Sequence, residues 1–273
     1  LLPGLLLWLF LFAPAQAATA LRVVLKEDAK QVTVGSSTDA VIRDATGTPL
    51  GSVQGMSGFR AESGNDKVRL GQWESNQLWI DPQGEGLVWI GDRWYRGDTK
   101  LIHDGSDLTV INQVNLEEYL YSVVGGEMVA SWPLEALKAQ AVAARSYALH
   151  KQNQSASRLY DVKSTTASQV YKGIKSETPR TLEAVNSTQG QVLTHGGKAI
   201  LAVFHSSSGG HTENVEDIWH RPLPYLRGVV DYDQTAPVYQ WEKRVSSTEM
   251  GQRLGNLGTI RAVTRLETTP QGR

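Results

Sequence analysis

The chain has no cysteine, which excludes disulfides, thiolate catalysis and cysteine-ligated zinc. It has almost no net charge, −1 over 273 residues, so nothing in its electrostatics points to nucleic acid or an anionic membrane surface as partner. It lacks a long apolar run. The longest, Leu5–Phe12, is shorter than the ~20 residues a membrane span requires. Internal repeats and low-complexity tracts are absent too, as are the serine-hydrolase elbow G-x-S-x-G and the zinc-binding H-E-x-x-H. What remains is ordinary globular composition, long enough for one large domain or two smaller ones.

The first 17 residues read as a secretory leader. LLPGLLLWLFLFAPAQA is an apolar run ending in Ala15-Gln16-Ala17, the small-x-small pattern of a cleavage site. Neither a methionine nor a basic segment precedes the run, so this leader is expected to be incomplete at its start, and the C-terminus is expected to be truncated as well. The expected location is outside the cytoplasmic membrane, in the periplasm, cell wall or medium. An uncleaved N-terminal anchor is the alternative.

Residues 18–95 are expected to be a β-rich region. LRVVL, QVTVG, DAVIRD, QLWIDP and GLVWIG are short, branched and aromatic, and Gly, Pro, Asn and Asp punctuate them closely. Trp73, Trp79, Trp89 and Trp94 could be platforms for sugar rings or packing between strands. The spacing then changes. Asn115 and Glu118 resemble a capping box. Leu116, Tyr119, Leu120, Val123 and Val124 follow at helical intervals, and Glu127 falls on the same stripe. A carboxyl facing apolar neighbours favours its protonated form, as a general acid requires. Gly125-Gly126 would either bring another backbone close or end the helix, leaving Glu127 a solvated turn residue.

Ser131-Trp132-Pro133 opens a second helix, with Ala136, Ala141, Ala144 and Ala148 on a small-residue face. The two helices are expected at about 115–127 and 132–151. Lys138 and Arg145 share one face, either solvated or lining a groove; Gln140 and Tyr147 share another. Further on, TPRTLEAVNSTQG reads as a short helix with Gly190 as its C-cap, QVLTHGGKAI as a hairpin and AILAVFH as a buried strand. That strand empties into Ser206-Ser207-Ser208-Gly209-Gly210. The loop suits a polyhydroxyl ligand. A serine nucleophile assisted by His205 or His211 is a sharper alternative, and His205, His211, His220, Glu213 and Asp217 match no tight metal motif. The fold class these elements imply is α+β, an antiparallel sheet structure packed with a central pair of helices.

Three segments, NLEEYLYSVVGGEM, WPLEALKAQAVAARSYAL and FHSSSGGHTENVEDIW…PYLRGV, resemble in order and spacing the SpoIID/LytB family of sporulation protein D and amidase enhancers. The resemblance makes 96–273 the catalytic region. It implies a lytic transglycosylase that cuts the MurNAc-GlcNAc bond of peptidoglycan glycan strands, denuded ones preferentially. Its catalytic glutamate corresponds to Glu127, although Val129 stands where the family usually has proline. Substrate-binding residues would be Lys138, Gln140, Arg145 and Tyr147 on the second helix, Tyr171 of the Q-x-Y segment, and Ser206, Ser207, Ser208 and Gly209 of the loop. Some members bind zinc through Cys and His before that Q-x-Y segment. DVKSTTASQVY has neither, so no metal or other cofactor is expected. The alternative implied by the family's second name is a non-catalytic wall-binding module that enhances an amidase, which would then be a second partner beside the glycan.

Overall fold

The computed structural model describes residues 19–105, 107–155, 159–219, 221–264 and 269. The leader reading at 1–17, His220 and most of the last nine residues lie outside that set. Among the described residues no helix is long and apolar enough to cross a membrane.

Twelve strands come first: β1 (Ala20–Ala29), β2 (Gln31–Ser36), β3 (Ala40–Arg43), β4 (Pro49–Val53), β5 (Gly58–Gly64), β6 (Lys67–Leu70), β7 (Trp73–Ser75), β8 (Gln77–Pro82), β9 (Val88–Ile90), β10 (Arg93–Tyr95), β11 (Asp98–Asp104) and β12 (Asp107–Asn115). The helices α1 (Leu116–Glu127) and α2 (Leu134–Gln154) follow, then β13 (Val162–Lys163), a 3-10 turn at Gly173–Ser176, α3 (Pro179–Asn186), β14 (Thr194–His195), β15 (Lys198–Ala199), α4 (Val215–Trp219) and α5 (Ser247–Arg253). The fold is α+β, as the patterning implies.

Two sheets form the β part, one in the order β13-β1-β12-β11-β8-β3-β4 and one in the order β10-β9-β2-β5-β6-β7. Alternation along each strand sends one side chain in two inward, so Leu78, Ile80, Leu101 and Val110 of the first sheet share a core with Val32, Val34, Val68 and Leu70 of the second. Trp89 and Trp94 pack edge to face on paired strands. The Trp73 indole N–H donates to Leu50 O at 3.2 Å. Those three tryptophans therefore serve strand packing.

The expected division of the chain differs from the observed one. Strand β1 pairs with β12 and, in parallel, with β13, so a single sheet runs across the 95/96 boundary. Contacts within the chain instead separate residues up to Ala202 from a second unit beginning at Val203. The strand expected at AILAVFH is also absent: past the β14–β15 hairpin Ile200 N–H still donates to Leu193 O at 3.0 Å, but residues 200–205 form no strand, and Val203 is exposed. Apolar content alone cannot make a strand where the ladder does not continue along the run. The short helix stops at Asn186 with Ser187 as its cap, before Gly190. The β14–β15 hairpin does form, with Gly196 and Gly197 both at positive φ, 57° and 74°, which a two-residue type I′ turn demands.

Candidate active site

Helix α1 buries the predicted stripe: Leu116, Tyr119, Leu120, Val123 and Val124 are all in the core, each such side chain contributing on the order of 1.5–3 kcal/mol. Asn115 caps it by accepting the Glu117 N–H at 2.8 Å. Glu118 turns away towards Arg96, 4.0 Å off, so only half of the expected capping box is made. One turn past Val123 and Val124 stands Glu127, the last residue of the helix and half-buried.

The two glycines lie inside α1, so they do not terminate it. Neither has positive φ. Their purpose is close approach. A Cβ on Gly126 would stand 2.3 Å from Val170 O, and one on Gly125 would stand 1.9 Å from Ser176 O. The backbone of residues 168–176 thus crosses the bare face of the helix, where only glycine lets it fit. That crossing delivers the Val170 N–H to Glu127, whose Oε1 accepts it at 2.6 Å. No described residue hydrogen-bonds Oε2.

The crossing segment is held on every side. Gln169, fully buried, accepts from the Tyr119 hydroxyl at 3.1 Å and donates to Ala144 O at 3.3 Å. Lys172 N–H donates to Ser122 Oγ, which is 3.0 Å from Ser176 Oγ. Burial pushes the Tyr119 phenol well above its ordinary range, with the nearby Tyr147 and Glu127 adding to the effect. Burial raises Tyr147 as well, against the opposing hydrogen bond from Ser168. Both remain protonated phenols, Tyr119 near Glu127.

The other site residues of the first unit part company. Gln140 is half-buried on α2, and its Nε2 is shielded from water with no hydrogen-bond partner among the described residues. An unmet amide donor of that kind costs about 1–3 kcal/mol. Tyr147 lies seven residues on, two turns along the same helix face. Lys138 makes a surface pair with Glu135 at 2.8 Å.

Arg145 and Tyr171 are corrections. The Arg145 side chain is 1% exposed. Its guanidinium forks onto Glu117 at 2.8 and 2.6 Å and donates to Gln191 O and Val185 O. A cation so enclosed ties α1 to the segments after α2 and has no surface left for a glycan. Tyr171 is likewise in the core, ring to ring with Tyr95 and Tyr119, its hydroxyl donating to Asn112 Oδ1 at 2.8 Å. Both hold the frame behind Glu127.

Ser206, Ser207, Ser208 and Gly209 belong to the second unit. Their loop wraps a carboxylate of its own: Asp233 accepts the Ser207 hydroxyl and the N–H groups of Ser208, Gly209 and Gly210, at 2.7–2.9 Å for the amides. The Ser207 hydroxyl, with the three amides behind it, holds the Asp233 carboxyl down to about 2. Ser208 Oγ donates to Asp231 at 2.7 Å. Ser207 and Ser208 thus give their protons to carboxylates and not to a histidine, contrary to a serine nucleophile. Beside the loop is a cavity of ≈ 440 Å³ lined by Val203, Phe204, Trp219, Leu226, Ser208 and Arg227, among others.

Several functional contacts had no sequence signal. The Val170 N–H is backbone and invisible to motif reading. The bonds of Gln169 and Asp233 could be suspected only from an amide in an otherwise small-residue loop and an acid in a turn-rich stretch.

Residues 104–195 match the family described as SpoIID: Stage II sporulation protein. The chain is 37% identical over 161 residues to the stage II sporulation protein D of Bacillus subtilis, covering 53% of this chain and 47% of that one. It is 40% identical over 131 residues to the Bacillus subtilis amidase enhancer, 48% of this chain and 17% of that protein. An uncharacterised protein of Brachyspira hyodysenteriae is 36% identical over 173 residues, 63% of this chain and 47% of the relative. The chain therefore spans less than half the length of each of these relatives.

Proposed function

We propose that this chain, whose residues 104–195 form a SpoIID-family domain, acts on the cell wall outside the cytoplasmic membrane, as a lytic transglycosylase of peptidoglycan glycan strands. The observation that carries the reading is the mounting of Glu127. One carboxyl oxygen is pinned by a backbone N–H, while the other is unengaged among the described residues.

Hydrolytic glycosidases ordinarily use two carboxylates, one of them to activate or replace water. A lytic transglycosylase uses the C6 hydroxyl of the muramic acid in place of water, so a single carboxyl serves twice. Glu127, protonated on Oε2, gives its proton to the glycosidic oxygen as the C1–O bond breaks and GlcNAc leaves with a free hydroxyl. The carboxylate then takes the C6 hydroxyl proton as that oxygen bonds to C1. The muramoyl residue ends as its 1,6-anhydro form, Glu127 is protonated again, and no water is consumed. The Val170 amide keeps the carboxyl oriented through both transfers.

Glu127→Gln tests this. Glutamine keeps an oxygen for the Val170 N–H but cannot transfer a proton, so the fold should survive. Release of anhydromuramoyl products from purified wall, read by mass spectrometry, should fall by about 10²–10⁴-fold. Undiminished release would sink the assignment. The amidase-enhancer relative supports a second reading, a wall-binding module that stimulates a separate amidase. It would prevail if the wild type releases no anhydro products yet accelerates an added amidase.

A further inference from the structure

The outer face of the first sheet carries a groove outside the region just described. In β8, Leu78 and Ile80 are buried in the core, so alternation turns Gln77, Trp79 and Asp81 to the opposite face. Register places Lys100 of β11 across from Trp79 on one side and Arg43 of β3 on the other. Asp98 of β11 faces Gln113 of β12 and stands beside Asp81. Together these residues line a depression of ≈ 560 Å³. Four neighbouring strands at ~4.8 Å spacing make it about 14 Å across.

An outer sheet face is normally solvated and unremarkable, but the groups in this groove are half-buried and uncommitted. The amides of Gln77 and Gln113 and the carboxyl of Asp98 make no hydrogen bond with any described residue, and all three residues are only partly exposed. Lys100 Nζ stands 5.0 Å from the Trp79 ring centroid. Asp81 pairs with Arg43 at 3.0 Å, and Arg43 also donates to Gly47 O at 3.3 Å. Burial, and then Asp81, raise the Asp98 carboxyl to about 6, so it accepts above that pH and can also donate below it.

We infer that this groove is a second saccharide-binding site, taking a pyranose unit of a glycan strand against Trp79 and reading its hydroxyl and acetamido groups with Gln77, Gln113, Asp98 and Lys100. A pyranose has an apolar C–H face and a rim of groups that both donate and accept. A single indole ringed by planar amides and a carboxyl is complementary to that pattern. Most of the groove, Arg43 to Lys100, precedes the segment matched by the SpoIID family, so it lies outside the region around Glu127. The inference rests on the reading that glycan is the substrate, and it assigns the β part a task of holding the strand.

The test uses the full chain carrying Glu127→Gln and labelled with 5-fluorotryptophan, titrated with chitotetraose and followed by fluorine NMR. Replacing Trp79 by phenylalanine identifies its resonance. The saccharide should move that resonance. Trp79→Ala with an unaltered melting curve, and Asp98→Asn with a melting temperature no lower than that of the wild type, should weaken binding about tenfold and severalfold respectively. A Trp79 resonance that stays still at millimolar saccharide overturns the inference, as does equal affinity in the alanine variant. Release of anhydro ends by the wild type with Trp79 unmoved overturns this site and leaves Glu127 standing. Movement at Trp79 without release supports this site and removes the catalytic role.

Discussion

Gly126→Ala isolates the physical claim at the centre of the site, that bare helix backbone exists so a crossing segment can hold Glu127. A methyl group there would sit 2.3 Å from Val170 O, whereas an ordinary C···O contact is about 3.3 Å or more. Residue 170 must therefore retreat by about 1 Å. Its N–H goes with it, and a donor now 2.6 Å from Glu127 Oε1 moves to roughly 3.6 Å, beyond a hydrogen bond. Alanine favours the helix over glycine by about 1 kcal/mol, which offsets part of the clash. Stability should therefore change little. The rate should change much more, since about 1 Å of misplacement at a reacting group can cost on the order of 10²-fold. Digestion of purified wall, followed by release of anhydro ends, measures the rate; a thermal melt measures the fold. Gly125→Ala supplies the contrast. Its methyl would meet Ser176 O at 1.9 Å and pry apart the Ser122–Ser176 contact, so it should lose more stability than Gly126→Ala and less of its remaining rate. A Gly126→Ala protein that digests wall at the wild-type rate would refute the reasoning.

Two further outcomes follow from buried charge. Arg145→Ala strands Glu117 without its guanidinium partner and should cost about 3–5 kcal/mol in urea unfolding; a variant as stable as wild type would mean the bridge is not the tie described. Asp98 sets a pH dependence: the unfolded chain releases this proton near 3.8 and the folded chain holds it until about 6, so stability falls as pH rises through that window and stays reduced above it. At about 1.4 kcal/mol per tenfold change in proton affinity the gap is worth ~3 kcal/mol, and roughly 1–2 after solvent screening of a group still partly in water. Asp98→Asn should therefore stabilise the protein by that amount at pH 7.5 and by much less near pH 4, as read from denaturant titrations at the two values.

Local periodicity made α1 legible, because a buried stripe repeats with the helix, and the same phase placed Glu127 at its end. It also marked the glycine turn between β14 and β15. Periodicity says which face is covered but not what covers it. Hence the reason for Gly125-Gly126 was hidden: the atoms that need the space belong to Val170 and Ser176, far along the chain. Arg145 misled for the same reason. On α2 it lines up with Lys138 as a second cation, yet Glu117 and two carbonyls from distant segments enclose it. The β13–β1 pairing rests on two residues, too short a run for any pattern to announce. Residues 200–205 failed as a strand because a ladder must continue along the run, and hydrophobic content cannot report whether it does.

The placement of β12 decides which piece of the chain could be cut out and still fold. The family match spans residues 104–195, while β12 is clasped between β1 and β11, which lie almost wholly upstream. An excised 104–195 fragment would bare both edges of that strand, an invitation to pair with other copies. What the family match covers and what can stand alone are thus different lengths of chain. Any lineage that exchanges the upstream strands must replace them with others of matching register, or forfeit the platform from which α1 springs.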